Sequence, residues 1–333
     1  MNLRVLRSMR RMALAALWMA SSALVPLVAP AMAAASYPAK PIHIVVPFGA
    51  GGIADLTART VAQKMSETLG QAIVVENRPG AGGVVATQAV ARAQPDGYTL
   101  LLMSNGNAVS VGLFKSLPFD TVKDLVPVST LGYFDLAVIA RSDSKFRDLR
   151  DLVSYARGNP GKVNIGTINV GSTQNLAGEL LRIRSGIDAQ IVPFGGTPAL
   201  VSAVLGGSVD AAIEIVGPVM SQISAGKLRA LAVMGAKRRQ EMPDVPTVIE
   251  SGIPDFEVAS WNALAVPAGT PKEIVERLNR EINAAVAAPE VRSRLSKMGV
   301  DARGGTPEEA RALLESEIRR WSDVIEKAGI PRQ

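Results

Sequence analysis

Residues 42–55 read IHIVVPFGAGGIAD, and this stretch decides the fold. The apolar run Ile42–Val46 is short and rich in β-branched side chains, which is typical of a fully buried parallel strand. Pro47 ends the run, and a glycine-rich loop leads to Asp55, near which we predict that a helix begins. Apolar residues recur beyond the loop at roughly helical spacing, at Leu56, Val61, Met65 and Leu69.

This loop predicts an anion-binding site, because a loop that joins a strand to a helix N-terminus presents backbone N–H groups outward. Two hypotheses follow. Gly49-x-Gly51-x-x-Ala54 matches the dinucleotide fingerprint, and Glu76 follows the predicted strand 72–75 about where a ribose-binding acid would lie. The chain is then either a nicotinamide-dependent oxidoreductase or a carboxylate-binding receptor that uses the same loop.

Residues 1–35 have the three parts of a secretory signal peptide. Four arginines precede an apolar run at 12–28, and small residues follow at 31–35. We predict cleavage after Ala33 or Ala35 and export to the periplasm. A retained membrane anchor is the alternative, but serines and prolines interrupt the apolar run and small residues close it.

Composition excludes several classes of site. The formal net charge of +6 includes the four arginines of the leader, which leaves +2, and no basic cluster with interleaved aromatic residues predicts a nucleic-acid partner. Cysteine is absent, which rules out disulfides and thiol catalysis. The only histidine, His43, lies within the first predicted strand, which argues against a Ser-His-Asp relay and against a multi-histidine zinc site. We predict no catalytic residue, no metal and no cofactor.

The order of predicted elements indicates an α/β protein with two domains. Strands alternate with helices, which predicts parallel pairing. Two β-like runs, 126–131 and 136–140, mark the crossing into a second α/β series, and the helices near the C-terminus need the first domain as a partner surface. We predict domain 1 at 36–133 plus 258–333 and domain 2 at 134–257, with a hinge and a cleft where the chain crosses twice.

Two helix starts are predicted from capping boxes with proline at the first helical position. The boxes are Thr270-Pro271-Lys272-Glu273 and Thr306-Pro307-Glu308-Glu309.

Five predicted strands end in small, polar, glycine-bearing loops, at 48–55, 104–107, 166–173, 195–197 and 214–217. Ligands of open α/β sheets bind at the carboxyl ends of strands. Plain turn chemistry is the alternative for any single loop, but five in succession favour a site. None of the loops carries Lys, Arg or His, so a bound carboxylate would be held by backbone N–H groups, hydroxyls and amides. For Asp55, a role as a helix cap and a role as a ligand contact are equally open.

Several motifs are spread over nearly the whole chain beyond the leader: Val45-Val46-Pro47-Phe48, Glu76-Asn77-Arg78-Pro79-Gly80-Ala81-Gly82-Gly83, Pro95-Asp96-Gly97-Tyr98 and Pro267-Ala268-Gly269-Thr270-Pro271. They resemble the solute-binding receptors of tripartite tricarboxylate transporters, also called the Bug family, and the eight-residue motif is specific. The resemblance implies a two-lobed periplasmic-binding-protein-like fold of type II, each lobe a sheet flanked by helices, with the ligand cleft at the hinge.

The resemblance also implies the function and the site. A monomeric, non-enzymatic receptor would close on a small carboxylated solute (a di- or tricarboxylate, an amino acid or an aromatic acid) and deliver it to membrane transporter subunits. A sensing receptor for a signalling partner is the alternative, and the oxidoreductase is a minor one. The implied ligand-binding residues are Phe48, Gly49, Gly52, Asp55, Ser104, Asn105, Thr167, Asn169, Ser172, Thr173, Gly196, Thr197 and Glu214.

The chain departs from the family's usual pattern inside these loops. Ala54 replaces a threonine, Asn175 a histidine, Gly195 a lysine and Glu214 an aspartate. These departures bear on the identity of the ligand, which the sequence leaves open.

Overall fold

Residues 37–333, which a computed structural model describes, form ten strands and ten α-helices. The predicted signal peptide lies outside these residues. The strands are β1 (Ile42–Val46), β2 (Ile73–Asn77), β3 (Thr99–Ser104), β4 (Leu125–Arg141), β5 (Val163–Ile168), β6 (Ala189–Phe194), β7 (Ala211–Ile215), β8 (Leu228–Val233), β9 (Ala259–Pro267) and β10 (Val300–Ala302).

The helices lie between and after these strands. They are α1 (Ile53–Leu69), α2 (Val84–Ala91), α3 (Asn105–Leu113), α4 (Leu149–Gly158), α5 (Thr173–Ser185), α6 (Thr197–Leu205), α7 (Val216–Ser224), α8 (Lys272–Ala287), α9 (Pro289–Lys297) and α10 (Pro307–Lys327). Within the described part of the chain, none of them combines the length and apolar character that crossing a bilayer requires.

The long strand β4 belongs to two sheets. Residues 125–135 pair with β9, and residues 136–141 pair with β7 and β8. The first sheet runs β2-β1-β3-β9-β4, with β10 also on β4, and the second runs β4-β7-β5-β6, with β8 also on β4. The two β-like runs predicted here are thus one strand. Register shifts after Pro127 and Thr130 accommodate its irregular part, because a bulge tolerates a residue without a backbone N–H.

Strand direction divides each sheet. The outer groups β2-β1-β3 and β7-β5-β6 are parallel, as predicted. The strands β4, β9 and β10 pair in an antiparallel manner, which the sequence did not predict. β4 leads the chain out of the first sheet, and β9 leads it back. Each of these two strands is antiparallel to the strands beside it.

The partner change within β4 falls between Asp135 and Leu136, close to the predicted boundary at 133/134. The chain returns to the first sheet beyond a hydrogen bond from Val258 N–H to Met234 O of 2.8 Å. Backbone contacts group residues 38–333 as one compact unit. The division into two domains therefore stays a prediction.

The two predicted capping boxes had different outcomes. Thr306 caps α10, and Glu309 returns the hydrogen bond, as predicted. The prediction at Thr270 was wrong: its hydroxyl donates to Pro267 O at 2.8 Å, and α8 begins at Lys272 after an N-cap Pro271. The Thr270 hydroxyl therefore closes the turn before α8 and does not cap the helix.

Candidate functional site

The glycine loop between β1 and α1 leaves backbone exposed at the carboxyl end of the first sheet. Phe48 is exposed, and a Cβ added at Gly49 or Gly51 would meet nothing within 4 Å. Gly51 has a φ of +81°, which favours glycine. Gly52 is the N-cap of α1 and offers no side chain to its first amides. The loop can therefore present N–H groups and a helix N-terminus to an anion.

Asp55 holds this loop in shape. Its Oδ2 accepts from Gly51 N–H at 2.8 Å, and its Oδ1 accepts from Arg59 Nε and Asn77 Nδ2, each at 2.9 Å. Burial acts to raise the pKa of Asp55, but these hydrogen bonds outweigh it and hold the pKa below its ordinary value. Both carboxylate oxygens are occupied within the protein, so the observed contacts are structural, and a ligand contact stays a prediction.

Asn77 is a second support of the loop that the sequence did not single out. Its side chain donates to Phe48 O at 3.0 Å and to Asp55, and it accepts from Arg59 at 3.0 Å. The neighbouring Glu76, considered above as a ribose ligand, contacts His43 Nδ1 at 2.8 Å and accepts from Arg78 at 2.9 Å. The polar side chains of this motif therefore bind protein groups of the first sheet.

Asn105 connects three distant parts of the chain. It is fully buried at the start of α3, and Ser104 caps that helix by accepting from Gly106 N–H. Asn105 Nδ2 donates to Thr173 Oγ1 at 2.9 Å, and Asn105 Oδ1 accepts from Trp321 Nε1 at 2.8 Å. Trp321 lies 216 residues further along the chain, and no sequence pattern could have paired the two.

On the second sheet, the loop after β5 is held by its own helix. Ser172 caps α5 by accepting from Asn175 N–H at 3.1 Å. The Asn175 side chain accepts from Gly171 N–H at 3.1 Å and donates to Thr167 Oγ1 at 3.3 Å. Asn169 is exposed at the tip of the loop. Asn175 thus acts as a support of this loop.

Glu214 lies at the carboxyl end of β7 and is fully buried. Its Oε1 accepts from Gln174 Nε2 at 2.8 Å and from Ile215 N–H at 2.7 Å, and its Oε2 has no partner among the described residues. Burial raises the pKa of Glu214, and the hydrogen bonds from Gln174 and Ile215 only partly oppose it. Thr197 is the first residue of α6, and Gly196 is the N-cap of that helix. Glu214 is therefore a buried acid with one carboxylate oxygen that no described residue partners.

The two sheets meet through Thr173. This residue accepts from Asn105 and lies 3.4 Å from Ser260 Oγ of β9, so a helix of the second sheet contacts two elements of the first. Gly171 packs so closely on Leu113 of α3 that a Cβ there would collide. The predicted residues Asn105 and Thr173 are thus in direct contact. Gln174, which was not predicted, follows Thr173 in the chain and donates a hydrogen bond to Glu214, so it connects this contact to Glu214.

Other features of the described residues lie apart from this site. No group of three or more acidic, histidine or cysteine side chains within residues 37–333 is placed to hold a metal ion. Two surface cavities, of about 390 Å³ and about 460 Å³, lie beside α4, and no predicted site residue lines either.

Known proteins resemble this chain over most of its length. A model of the tripartite tricarboxylate transporter family receptor matches residues 57–330. The protein BugT of Bordetella pertussis is 38% identical over 304 residues, which cover 91% of this chain and 93% of that protein.

Solved structures agree with the sequence match. The periplasmic binding protein BugD has a TM-score of 0.78 at 34% identity, covering 89% of this chain and 100% of that chain. MatC from Rhodopseudomonas palustris with bound malate has a TM-score of 0.75 at 34% identity, covering 87% of this chain and 100% of that chain.

Proposed function

The chain belongs to the tripartite tricarboxylate transporter receptor family, and from this premise we propose that it captures a small carboxylated solute in the periplasm and delivers it to the membrane subunits of such a transporter. The observation that carries the proposal is the hydrogen bond from Asn105 to Thr173, 2.9 Å long, because it joins the carboxyl ends of two sheets. A solute bound between the loops at 48–55 and 166–173 would contact both sheets at once.

Capture in this proposal needs no chemistry on the solute. The exposed backbone at 49–52 and the start of α3 would bind a carboxylate of the solute. The side of the second sheet near Glu214 would contact the remainder of the solute. Malate bound to MatC supports a small carboxylate as the ligand class. We infer a binding protein without catalytic residues, which acts as a monomer.

The test is a thermal-shift panel on the full chain, expressed with its own leader and purified from the periplasmic fraction. The panel contains succinate, malate, citrate, aspartate, benzoate and NADH. A solute that binds the folded state raises the thermal midpoint. We expect a rise with one or more carboxylates and none with NADH. A rise with NADH alone would replace the receptor by the oxidoreductase.

Three further measurements test the rest of the proposal. N-terminal sequencing of the purified protein should begin at Ala34 or Ser36 if the leader is cleaved as predicted. Light scattering should give the mass of one chain. Small-angle scattering should show a smaller radius of gyration with saturating ligand, since closure brings the lobes together, and an unchanged radius would count against a hinge mechanism.

A further inference from the structure

Helix α3, which begins with the predicted site residue Asn105, is held at both of its ends by residues 321–333. At the start of the helix, Trp321 Nε1 donates to Asn105 Oδ1 at 2.8 Å. At its end, Gln333 N–H donates to Leu113 O at 2.9 Å. One segment, distant in sequence from α3, therefore fixes both ends of a helix that carries part of the site.

Close packing between the ends of α3 makes this support continuous. A Cβ added at Gly112 would lie 2.9 Å from Ser322 Oγ and 3.1 Å from Ile325 Cδ1, so α3 and α10 leave no room there for a larger residue. Just beyond α3, Lys115 N–H donates to Gln333 O at 2.9 Å. A shift of α3 against α10 would therefore disturb packing as well as hydrogen bonds.

The same two ends of α3 contact the loop at 166–173, which belongs to the second sheet. Asn105 Nδ2 donates to Thr173 Oγ1 at 2.9 Å. Leu113 lies so close to Gly171 that a Cβ added at the glycine would collide with the leucine side chain. Helix α3 thus lies between α10 and this loop, and its position decides whether both contacts with the loop can form at once.

The indole of Trp321 also fixes the direction of the hydrogen bond between the sheets. An indole N–H can only donate, so it holds Oδ1 of Asn105 as the acceptor and leaves Nδ2 to donate to Thr173. Trp321 is fully buried, and Glu317 Oε2 accepts from the same Nε1 at 2.7 Å. The orientation of the Asn105 amide is therefore set from within α10.

We propose that Trp321 and Gln333 are positioning residues for solute capture. Neither touches the solute: each holds one end of α3 where the loop at 166–173 meets it in the closed, solute-bound arrangement. When either hold is lost, the loop releases its contact more easily, so the solute leaves faster, whereas it enters the open protein at an unchanged rate. This inference rests on the proposed receptor function and goes beyond it by assigning a role in capture to residues outside the site loops.

The test measures affinity by calorimetry and the dissociation rate by chasing radiolabelled solute with unlabelled solute. The protein is the full chain expressed with its own leader, after removal of any co-purified solute by unfolding, dialysis and refolding. The solute is whichever of succinate, malate, citrate, aspartate and benzoate gives the largest thermal shift.

Gln333→Pro tests the end of α3, because proline lacks the N–H that Leu113 O accepts. We expect the dissociation rate to rise about fivefold, and the association rate to stay within about twofold of wild type. Gln333→Ala is the matched control. It keeps the backbone N–H, so both rates should stay within about twofold of wild type.

Trp321→Phe tests the start of α3, because it removes the indole N–H. Trp261→Phe is the matched control, since Trp261 is buried as well and its Nε1 has no partner among the described residues. We expect dissociation to be about fivefold faster in Trp321→Phe and changed by less than about twofold in Trp261→Phe. In a Thr173→Val background, Trp321→Phe should cause no further loss of affinity, because the contact through which Trp321 acts is already absent.

The outcomes separate the inference from the function on which it rests. An unchanged dissociation rate in Gln333→Pro, or a rise in Trp321→Phe that Trp261→Phe equals, overturns the inference and leaves the receptor function standing. If Trp321→Phe fails to fold, the comparison of Gln333→Pro with Gln333→Ala decides the inference alone. Binding of none of the five solutes to the wild type, together with no thermal shift in the carboxylate panel above, overturns both.

Discussion

Asn105 and Thr173 are 68 residues apart in the chain and belong to the layers of different sheets, yet their side chains form a hydrogen bond of 2.9 Å. Asn105 is held from the other side by Trp321, whose indole also donates to Glu317 Oε2 at 2.7 Å. The contact between the sheets is therefore braced by the C-terminal helix α10. If the sheets close on a solute as proposed, the Asn105 amide would meet its acceptor Thr173 only in the closed arrangement.

Thr173→Val tests whether this bond belongs to the closed state. Valine keeps the shape and removes the acceptor, so the buried Asn105 amide loses a partner only when the sheets meet. We expect solute affinity to fall about fivefold, corresponding to about 1 kcal/mol. Calorimetry with the solute found in the panel measures it. Thr60→Val is the control, because the Thr60 hydroxyl donates to Leu56 O inside α1. An equal loss of affinity in both variants would contradict the prediction.

Asp55→Asn tests whether Asp55 acts through the loop. The variant keeps the size of the side chain but removes the charge that binds Arg59, so we expect a loss of stability of about 1–3 kcal/mol. Affinities for aminocarboxylates and for plain carboxylates should fall by the same factor. A selective loss for aminocarboxylates would instead make Asp55 a ligand contact.

The same variant has a defined pH dependence. The folded state holds the pKa of Asp55 below its ordinary value of 3.8, so the stabilisation is present above that value and is lost as the pH falls through the lower folded pKa. The difference in thermal midpoint between wild type and Asp55→Asn should therefore shrink below about pH 4. Asp323→Asn, in an exposed pair with Lys327, should change the midpoint little at any pH.

Glu214→Gln should stabilise the unliganded protein at neutral pH. Burial raises the pKa of Glu214 above its ordinary value of 4.5, so the folded protein binds this proton more tightly than the unfolded chain does. Stability is then lost as the pH rises through the raised pKa, and glutamine, which does not ionise, avoids that loss. The midpoint of the variant relative to wild type should rise between pH 4 and pH 8. A lower midpoint across that range would show that the charge is stabilised in the folded state.

Gly217→Ala tests the close approach of Gly217 in α7 to Met298 and Gly299, which follow α9. A Cβ at Gly217 of α7 would collide with Met298 O, and one at Gly299 would lie 2.8 Å from Gly217 Cα. We expect a loss of about 1–3 kcal/mol in the free energy of unfolding, measured by urea titration. Gly158→Ala, where a Cβ would meet nothing within 4 Å, should change stability by less than about 0.5 kcal/mol. Similar losses in both would remove the close approach as the cause.

The predictions of the family and of the fold class were confirmed. Both could be made from the sequence because they depend on local signals: glycine loops, short apolar runs and motifs such as the one at 76–83. Local capping chemistry gave the start of α10 correctly at Thr306. It failed at Thr270, since the choice between capping a helix and closing a turn on Pro267 depends on the geometry of β9.

The site was predicted less completely than the fold. The loops that carry Asn105 and Thr173 were found, but their direct contact depends on how the sheets meet. The partner of Asp55 was within reach, because Arg59 stands at the spacing of a helical ion pair. Trp321 was not within reach, since it lies 216 residues from its partner Asn105.

The seventeen residues of β4 have a consequence for how the protein comes apart. Neither sheet is complete without this strand, because each pairs with one part of it. The backbone amides near Asp135 and Leu136 should therefore exchange with deuterium only when both sheets open together, with a protection close to that of global unfolding. Because β4 completes both sheets, their loss of structure should be one cooperative event.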